Sequence, residues 1–205
     1  MTLRKRQQLG ERKLPAPARR GRVPFEQALD SRRSVREFSD EPIGEAELSL
    51  LLWATQGITE RREGLRAAPS AGALYPLELY VATSDGLLHY EPERHRLVLL
   101  AAHDLRPAMC RAALAQSAVR QAPAVFVITA VYARTVRKYG EVWSPRYVHM
   151  EVGHAAQNLL LQAVALGLAA VPIGAFHEAD MHRILDLPAD EEPLYLVPVG
   201  RPQRD

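Results

Sequence analysis

The stretch 146–168 constrains the fold more than any other part of the chain. It reads as one long helix, apolar on almost every side, with the small residues Gly153, Ala155 and Ala156 along it. A helix that is apolar all round must be buried all round. A chain of 205 residues builds one ordinary core and has little left to wrap such a helix. The segment is therefore expected to face a second copy of the chain as well as its own core.

The apolar run 159–173 is interrupted by Gln162, Gly167 and Pro172, so nothing reaches transmembrane length. The N-terminus is basic, but no apolar signal-peptide core follows it. These features predict a soluble, cytoplasmic protein without a membrane partner. A single cysteine, Cys110, rules out an intrachain disulfide and a multi-cysteine zinc site, and it reads as a small core residue.

Charge is unevenly placed. Residues 1–22 hold eight basic residues and one acidic one, a net of +7, against +2 for the whole chain, so the remainder carries −5. Such a tail can attract nucleic acid or acidic lipid. It lacks interleaved aromatics to stack on bases, so it reads as a solvated leader, and a nucleic-acid partner is not expected. Pro15, Pro17 and Pro24 break it up. The reading divides the chain into a basic leader, 1–24, extended or disordered, and a folded domain, 25–205.

Within that domain, Phe25–Leu29 looks like the start of a first helix. A second spans about 45–56, where Leu48, Leu51, Leu52 and Thr55 form one buried stripe. Residues 61–66 read as a loop. Residues 77–83 alternate as a strand, Asp85-Gly86 is a turn signal, and 87–90 is the returning hairpin strand. A helix near 105–117 follows. The continuous β-prone run 124–130 predicts a central strand covered on both faces. A short strand or turn at 171–176, a short helix at 178–186 and a last strand at 194–199 complete an α+β pattern.

Four segments have residue types suited to chemistry. Arg32-Arg33-Ser34-Val35-Arg36 gathers three guanidinium forks and a hydroxyl, which suits a phosphate. Surface arginine clusters are also common. Pro69 to Pro76 is built of small residues that let backbone approach a flat ligand closely, with Ser70 as a hydroxyl donor. It equally fits a tight structural turn. Val171-Pro172-Ile173-Gly174-Ala175-Phe176 again permits close approach, and a backbone N–H there suits a flavin ring nitrogen. Arg201, directly after the last strand, could complete an anion site with Arg32 and Arg36. Glu151 and His154 have the Glu-x-x-His spacing of di-iron bundles, but those need a second copy and none is present. Asp104, Glu151 and His154 are not brought together by anything in the sequence, and His154 reads as a buried helix residue. No Gly-x-Gly-x-x-Gly, Walker A or Gly-x-Ser-x-Gly motif occurs.

Taken in order, Arg32-Arg33-Ser34-x-Arg36, Pro69-Ser70-Ala71-Gly72-Ala73-Leu74-Tyr75-Pro76, the Glu-x-Gly-His-x-Ala-Gln-Asn run at 151–158 and Gly200-Arg201-Pro202 resemble the nitroreductase superfamily. Within it they are most similar to the SagB/ThcOx-like dehydrogenase branch. The resemblance covers residues 25–203. It implies an α+β fold, a small central mixed sheet flanked by helices, and an intertwined homodimer with two FMN sites at its interface.

By position, the resemblance implies that Arg32, Arg33, Ser34 and Arg36 hold the FMN phosphate and part of the flavin edge, joined by Arg201. Pro69, Ser70, Ala71 and Ala73 line the ring from the other subunit. Pro172, Ile173, Gly174 and Ala175 face the N5 side. Lys138-Tyr139 matches a Lys-Tyr pair implicated in catalysis in azoline-oxidising members, with Arg146-Tyr147 as a competing pair. The implied activity is ping-pong hydride transfer through flavin N5. It runs either as dehydrogenation of a thiazoline or oxazoline in a modified peptide or as NAD(P)H-driven reduction of a small acceptor. A flavin carrier or regulatory protein with little turnover is the alternative. Peptide-handling oxidases of this branch often carry additional N-terminal sequence where this chain has only residues 1–24, which leaves small-molecule and modified-peptide substrates both open.

Overall fold

The computed structural model describes residues 8–203. Its centre is the strand pair β4 (Leu77–Thr83) and β7 (Ala124–Ala130), which run antiparallel with Leu77 opposite Ala130 and Val81 opposite Phe126. All seven residues of β7 are buried, because side chains alternate across a strand and both faces of the sheet are covered. Phe126 and Ile128 join one core with Leu77, Leu79 and Val81. Val125 and Val127 join the other with Tyr80 and Ala82.

Five further strands extend this pair: β1 (Gly10–Lys13), β5 (Gly86–Glu91), β6 (Arg96–Ala101), β8 (Ala169–Ala170) and β9 (Glu192–Gly200). The sheet order is β1-β6-β5-β4-β7-β9-β8. A small separate hairpin joins β2 (Ile58–Glu60) to β3 (Leu65–Arg66), and its second strand falls inside the stretch 61–66 expected as a loop. Every strand pair is antiparallel. The sheet expected to be mixed has a parallel element, among the described residues, only in the bridge Ser34↔Ala170.

Helices cover both faces. α2 (Glu45–Gln56) and α5 (Ala133–Ala165) lie on one. The predicted stripe Leu48, Leu51, Leu52 and Thr55 of α2 is buried, and the Glu47 carboxylate accepts from the Gly44 N–H at 2.9 Å to close the first turn. On the other face are α3 (Arg106–Ala112), α4 (Ser117–Gln121) and α6 (Glu178–Ile184). The single helix expected at 105–117 is broken where Leu114 and Ala115 take left-handed φ of 56° and 59°. α1 (Phe25–Ser31) packs on α5. The long helix starts earlier than its apolar pattern does, because a break at Gly140 (φ 72°, ψ 171°) joins a short helical segment to it.

The body also begins earlier than Phe25. β1 pairs with β6, Leu14 is buried, and Ser49 donates to the Pro15 carbonyl at 2.6 Å. β1 is an edge strand with exposed side chains. Its charges meet partners, Glu11 with Arg96 and Arg12 with Glu45, as charged edges that resist further pairing do. The rest of the predicted leader, residues 1–7, lies outside the described residues.

Gly86 opens β5 at φ 144°, and a Cβ there would stand 1.8 Å from the Ala101 carbonyl oxygen. Gly86→Ala is expected to lower stability by about 3 kcal/mol or more. Urea unfolding of the two chains checks this, and a loss under 1 kcal/mol would show that the β5–β6 pair yields easily.

Candidate functional site

The four predicted segments assemble into two groups on different supports. In the first, Ser34 bridges to Ala170 and Val35 N–H donates to the Ala170 carbonyl at 3.1 Å. That lays the arginine segment beside β8. Ile173 pairs with Leu196 of β9, which fixes the Pro172–Ala175 turn just beyond. Arg33, Ser34, Arg36, Gly174 and Ala175 are exposed, and Arg32 and Pro172 half-buried. Arg33 donates to the carbonyls of Asp30 and Arg32, and among the described residues no carboxylate pairs with Arg32, Arg33 or Arg36. An exposed, uncompensated cluster of guanidiniums suits a phosphate.

Arg201 departs from expectation. Its backbone does join this region, since Ser39 N–H donates to the Arg201 carbonyl at 3.0 Å. Its side chain, however, pairs with Glu41 and Glu47. Two carboxylates compensate that charge, so Arg201 ties the start of α2 to the end of β9.

The second group is the segment 69–76. Gly72, Ala73 and Tyr75 all have positive φ, 62°, 53° and 46°. For residues with a Cβ this costs roughly 1–2 kcal/mol each. Several bonds hold it there. Ser70 Oγ accepts from the Tyr75 N–H at 2.9 Å, the Tyr75 carbonyl accepts from Arg134 at 3.0 Å, and the Tyr75 hydroxyl accepts from the Arg66 N–H at 3.0 Å. Lys138 and Tyr139 pack on this turn. A Cβ at Gly72 would lie 2.8 Å from Lys138 Nζ and 2.9 Å from Tyr139 Oη. Tyr147, of the competing pair, stacks edge-on to Tyr139 with centroids 4.8 Å apart, while Arg146 sits over Trp143. Pro69 and Ala73 are exposed, Ser70 and Ala71 half-buried.

Behind Ser70 lies a residue that the sequence did not single out as a site. Glu151 is 2% exposed, and one of its carboxyl oxygens has no partner. Burial pushes its pKa up to about 7, against smaller lowering effects from Ser70, Arg66 and Arg134. Its Glu-x-x-His spacing was visible, but the partner that matters is 81 positions away in the chain. His154, expected inside, is exposed, and Asp104 is engaged by Arg106. No cluster able to hold a metal ion occurs among the described residues.

α5 separates the two groups. His149 and Gly153 line a cavity of about 330 Å³ together with Gly174, Phe176 and Tyr195. Glu151, between them in sequence, sits roughly 160° round the helix from each and faces Ser70. A helix body about 10 Å across therefore stands between the Gly174 turn and the Ser70 turn. A larger cavity of about 760 Å³, beside β1 and the β4–β5 turn, contains none of the predicted site residues.

The sequence pattern of the nitroreductase family matches residues 29–201. The chain belongs to the nitroreductase family. MJ1384 of Methanocaldococcus jannaschii, a nitroreductase by name, is 45% identical over 185 residues, 87% of this chain and 91% of that protein. The crystal structure of a Ralstonia eutropha JMP134 protein, also a nitroreductase by name, superposes with a TM-score of 0.87 at 30% identity, covering 100% of this chain and 97% of that one. The trifolitoxin-processing protein TfxB of Rhizobium leguminosarum is 31% identical over 113 residues, which is 50% of this chain and 30% of TfxB. This nitroreductase-family chain has no helix long and apolar enough to cross a membrane among its described residues.

The raised pKa of Glu151 has a stability consequence. An acid held protonated in the fold loses stability as pH climbs from its unfolded value, 4.5, to its folded value, about 7. Over that window the wild type is expected to lose up to about 3 kcal/mol relative to Glu151→Gln. Urea midpoints at pH 5 and pH 8 measure it, and parallel curves would show that the carboxyl does not titrate there.

Proposed function

We propose that this chain is an FMN-dependent oxidoreductase whose active sites form between two copies of it. The observation that carries this reading is the placement of the two groups on opposite sides of α5. A flavin touching both must take one from each of two chains. Arg32, Arg33, Ser34 and Arg36 of one copy hold the phosphate, and Pro172, Ile173, Gly174 and Ala175 of the same copy face the N5 side. Pro69, Ser70, Ala71 and Ala73 of the other copy line the ring. The residues fit such a group: an uncompensated guanidinium cluster lies beside a turn where Gly174 is exposed. A Cβ there would meet only Tyr195, at 3.8 Å, so backbone lies open to a flat ring. Exposed apolar side chains on α5 (Val142, Trp143, Met150) and α1 (Phe25, Leu29) supply a surface for the second copy.

Bound FMN supplies hydride exchange at N5. The protein places the ring and handles protons. Lys138 Nζ and Tyr139 Oη, both against Gly72, are set to hold and pass a proton at the open face. Two substrate classes follow. Likeness to MJ1384 over nearly its whole length favours NAD(P)H-driven reduction of a small acceptor. The meeting of Lys138-Tyr139 with Gly72, and the partial likeness to a peptide-toxin processing protein, favour the second reading, SagB-type azoline dehydrogenation with O2 as acceptor. A carrier with little turnover would bind FMN and do neither.

The purified protein is expected to be yellow, and NAD(P)H oxidation with a nitroaromatic, set against O2-dependent oxidation of an azoline peptide, separates the two substrate classes. Arg32→Ala and Arg36→Ala should each weaken FMN binding roughly tenfold to a hundredfold, while Arg201→Ala leaves it within about threefold. Co-expressing Arg32→Ala/Arg36→Ala chains with Gly72→Arg chains should restore one intact site per mixed dimer. No recovery of flavin in the mixed dimer would refute a site shared between copies.

A further inference from the structure

The cavity of about 330 Å³ beside the Gly174 turn is lined by His149 and Gly153 of α5, by Gly174, Phe176 and Glu178, and by Tyr195 of β9. Its volume lies at the small end of ligand cavities, enough for one substituted aromatic ring and too little for a dinucleotide. Phe176 and Tyr195 supply flat apolar walls, and Gly153 has no side chain to project into it. We propose that this cavity holds the second substrate of the flavin site, that His149 donates a hydrogen bond to an oxygen of that substrate, and that Glu178 turns away substrates carrying a carboxylate. The inference rests on the reading of the Gly174 turn as the flavin's N5 side.

The donor is set by Tyr132, which immediately precedes α5. Its hydroxyl lies 3.0 Å from His149 Nε2, and the two rings meet edge to face with centroids 6.2 Å apart. Burial of Tyr132, with Glu192 and Glu178 nearby, pushes its pKa up to about 12. The phenol therefore keeps its proton, and among the described residues His149 is its one hydrogen-bond partner. With the phenol O–H donating to Nε2, a neutral His149 carries its own proton on Nδ1. A charged His149 carries one there too. Nδ1 thus offers an N–H in either state, and the matching group is an acceptor oxygen.

Charge narrows the class further. Glu178 opens α6, is exposed, and pairs with no cation among the described residues. Glu192, at the start of β9, adds a second negative charge near Tyr132. A cationic His149 offsets one of these at most, and the arginines at 32–36 do not line the cavity. A bound carboxylate would meet that field in a partly closed site, where like charges repel more than in bulk water. A neutral ring bearing a nitro or quinone oxygen meets no such penalty. The occupant is therefore a neutral, single-ring aromatic acceptor with its oxygen on His149.

Two ligands of one shape and different charge test this, para-nitrobenzyl alcohol and para-nitrobenzoate. Each is titrated at neutral pH into the FMN-bound protein without reductant, with flavin absorbance as the readout. Wild-type protein is expected to bind the alcohol roughly fivefold to tenfold more tightly than the carboxylate. Glu178→Gln should narrow that preference to about twofold or less by strengthening carboxylate binding. His149→Phe keeps a ring and removes the donor, and should weaken alcohol binding roughly fivefold to tenfold, the worth of one hydrogen bond. Tyr132→Phe, which frees Nε2 to take the proton, should weaken it less. Each variant should hold FMN within about threefold of wild type, and nitrogen NMR of histidine-labelled wild type should find His149 protonated on Nδ1. Equal binding of the two ligands by wild type, unchanged alcohol binding by His149→Phe, or a proton on Nε2 alone overturns this inference and leaves the FMN site in place. Wild-type protein that binds no FMN overturns the reading of the Gly174 turn, and this inference with it.

Discussion

Helix α5 is buried along one side by its own chain and open along the other, and much of the molecule is arranged around it. Val148, Val152, Ala155, Leu159 and Ala163 fill the side beneath the sheet. His149, Met150, Gly153, His154 and Gln157 on the outer side stay exposed. Small residues at this surface let another backbone come close, and close approach is what packing density rewards. The same helix separates the Gly174 turn from the Ser70 turn. One element therefore carries both the open outer surface and the separation of the two turns.

The turn at 69–76 shows how the fold concentrates cost at one place. Ala73 and Tyr75 hold left-handed backbone, and Glu151 beneath them loses its hydration. Neither feature improves the core. Both persist because bonds from Ser70, Arg66 and Arg134 converge on Tyr75. Strain and desolvation occurring together are characteristic of sites where geometry matters more than stability.

How much of this was legible in the sequence depended on the range of the interaction. β7 could be read because seven consecutive buried residues need cover on both faces. α2 could be read because its stripe at 48, 51, 52 and 55 is local. β1 could not, since its side chains are exposed and its only signal is pairing with β6, about 85 residues away. Arg201 looked like an anion ligand because strand ends often hold one, but Glu41 and Glu47 reach it first in space. The positions of Lys138 and Tyr139 were named from resemblance. What placed them is Gly140, a glycine indistinguishable in sequence from any other.

That break decides where the two residues before it lie. With it, the short segment brings both onto Gly72, while Tyr147 braces the Tyr139 ring. Tyr139 and Tyr147 of the two competing pairs thus lie in one cluster. Arg146 stays over Trp143.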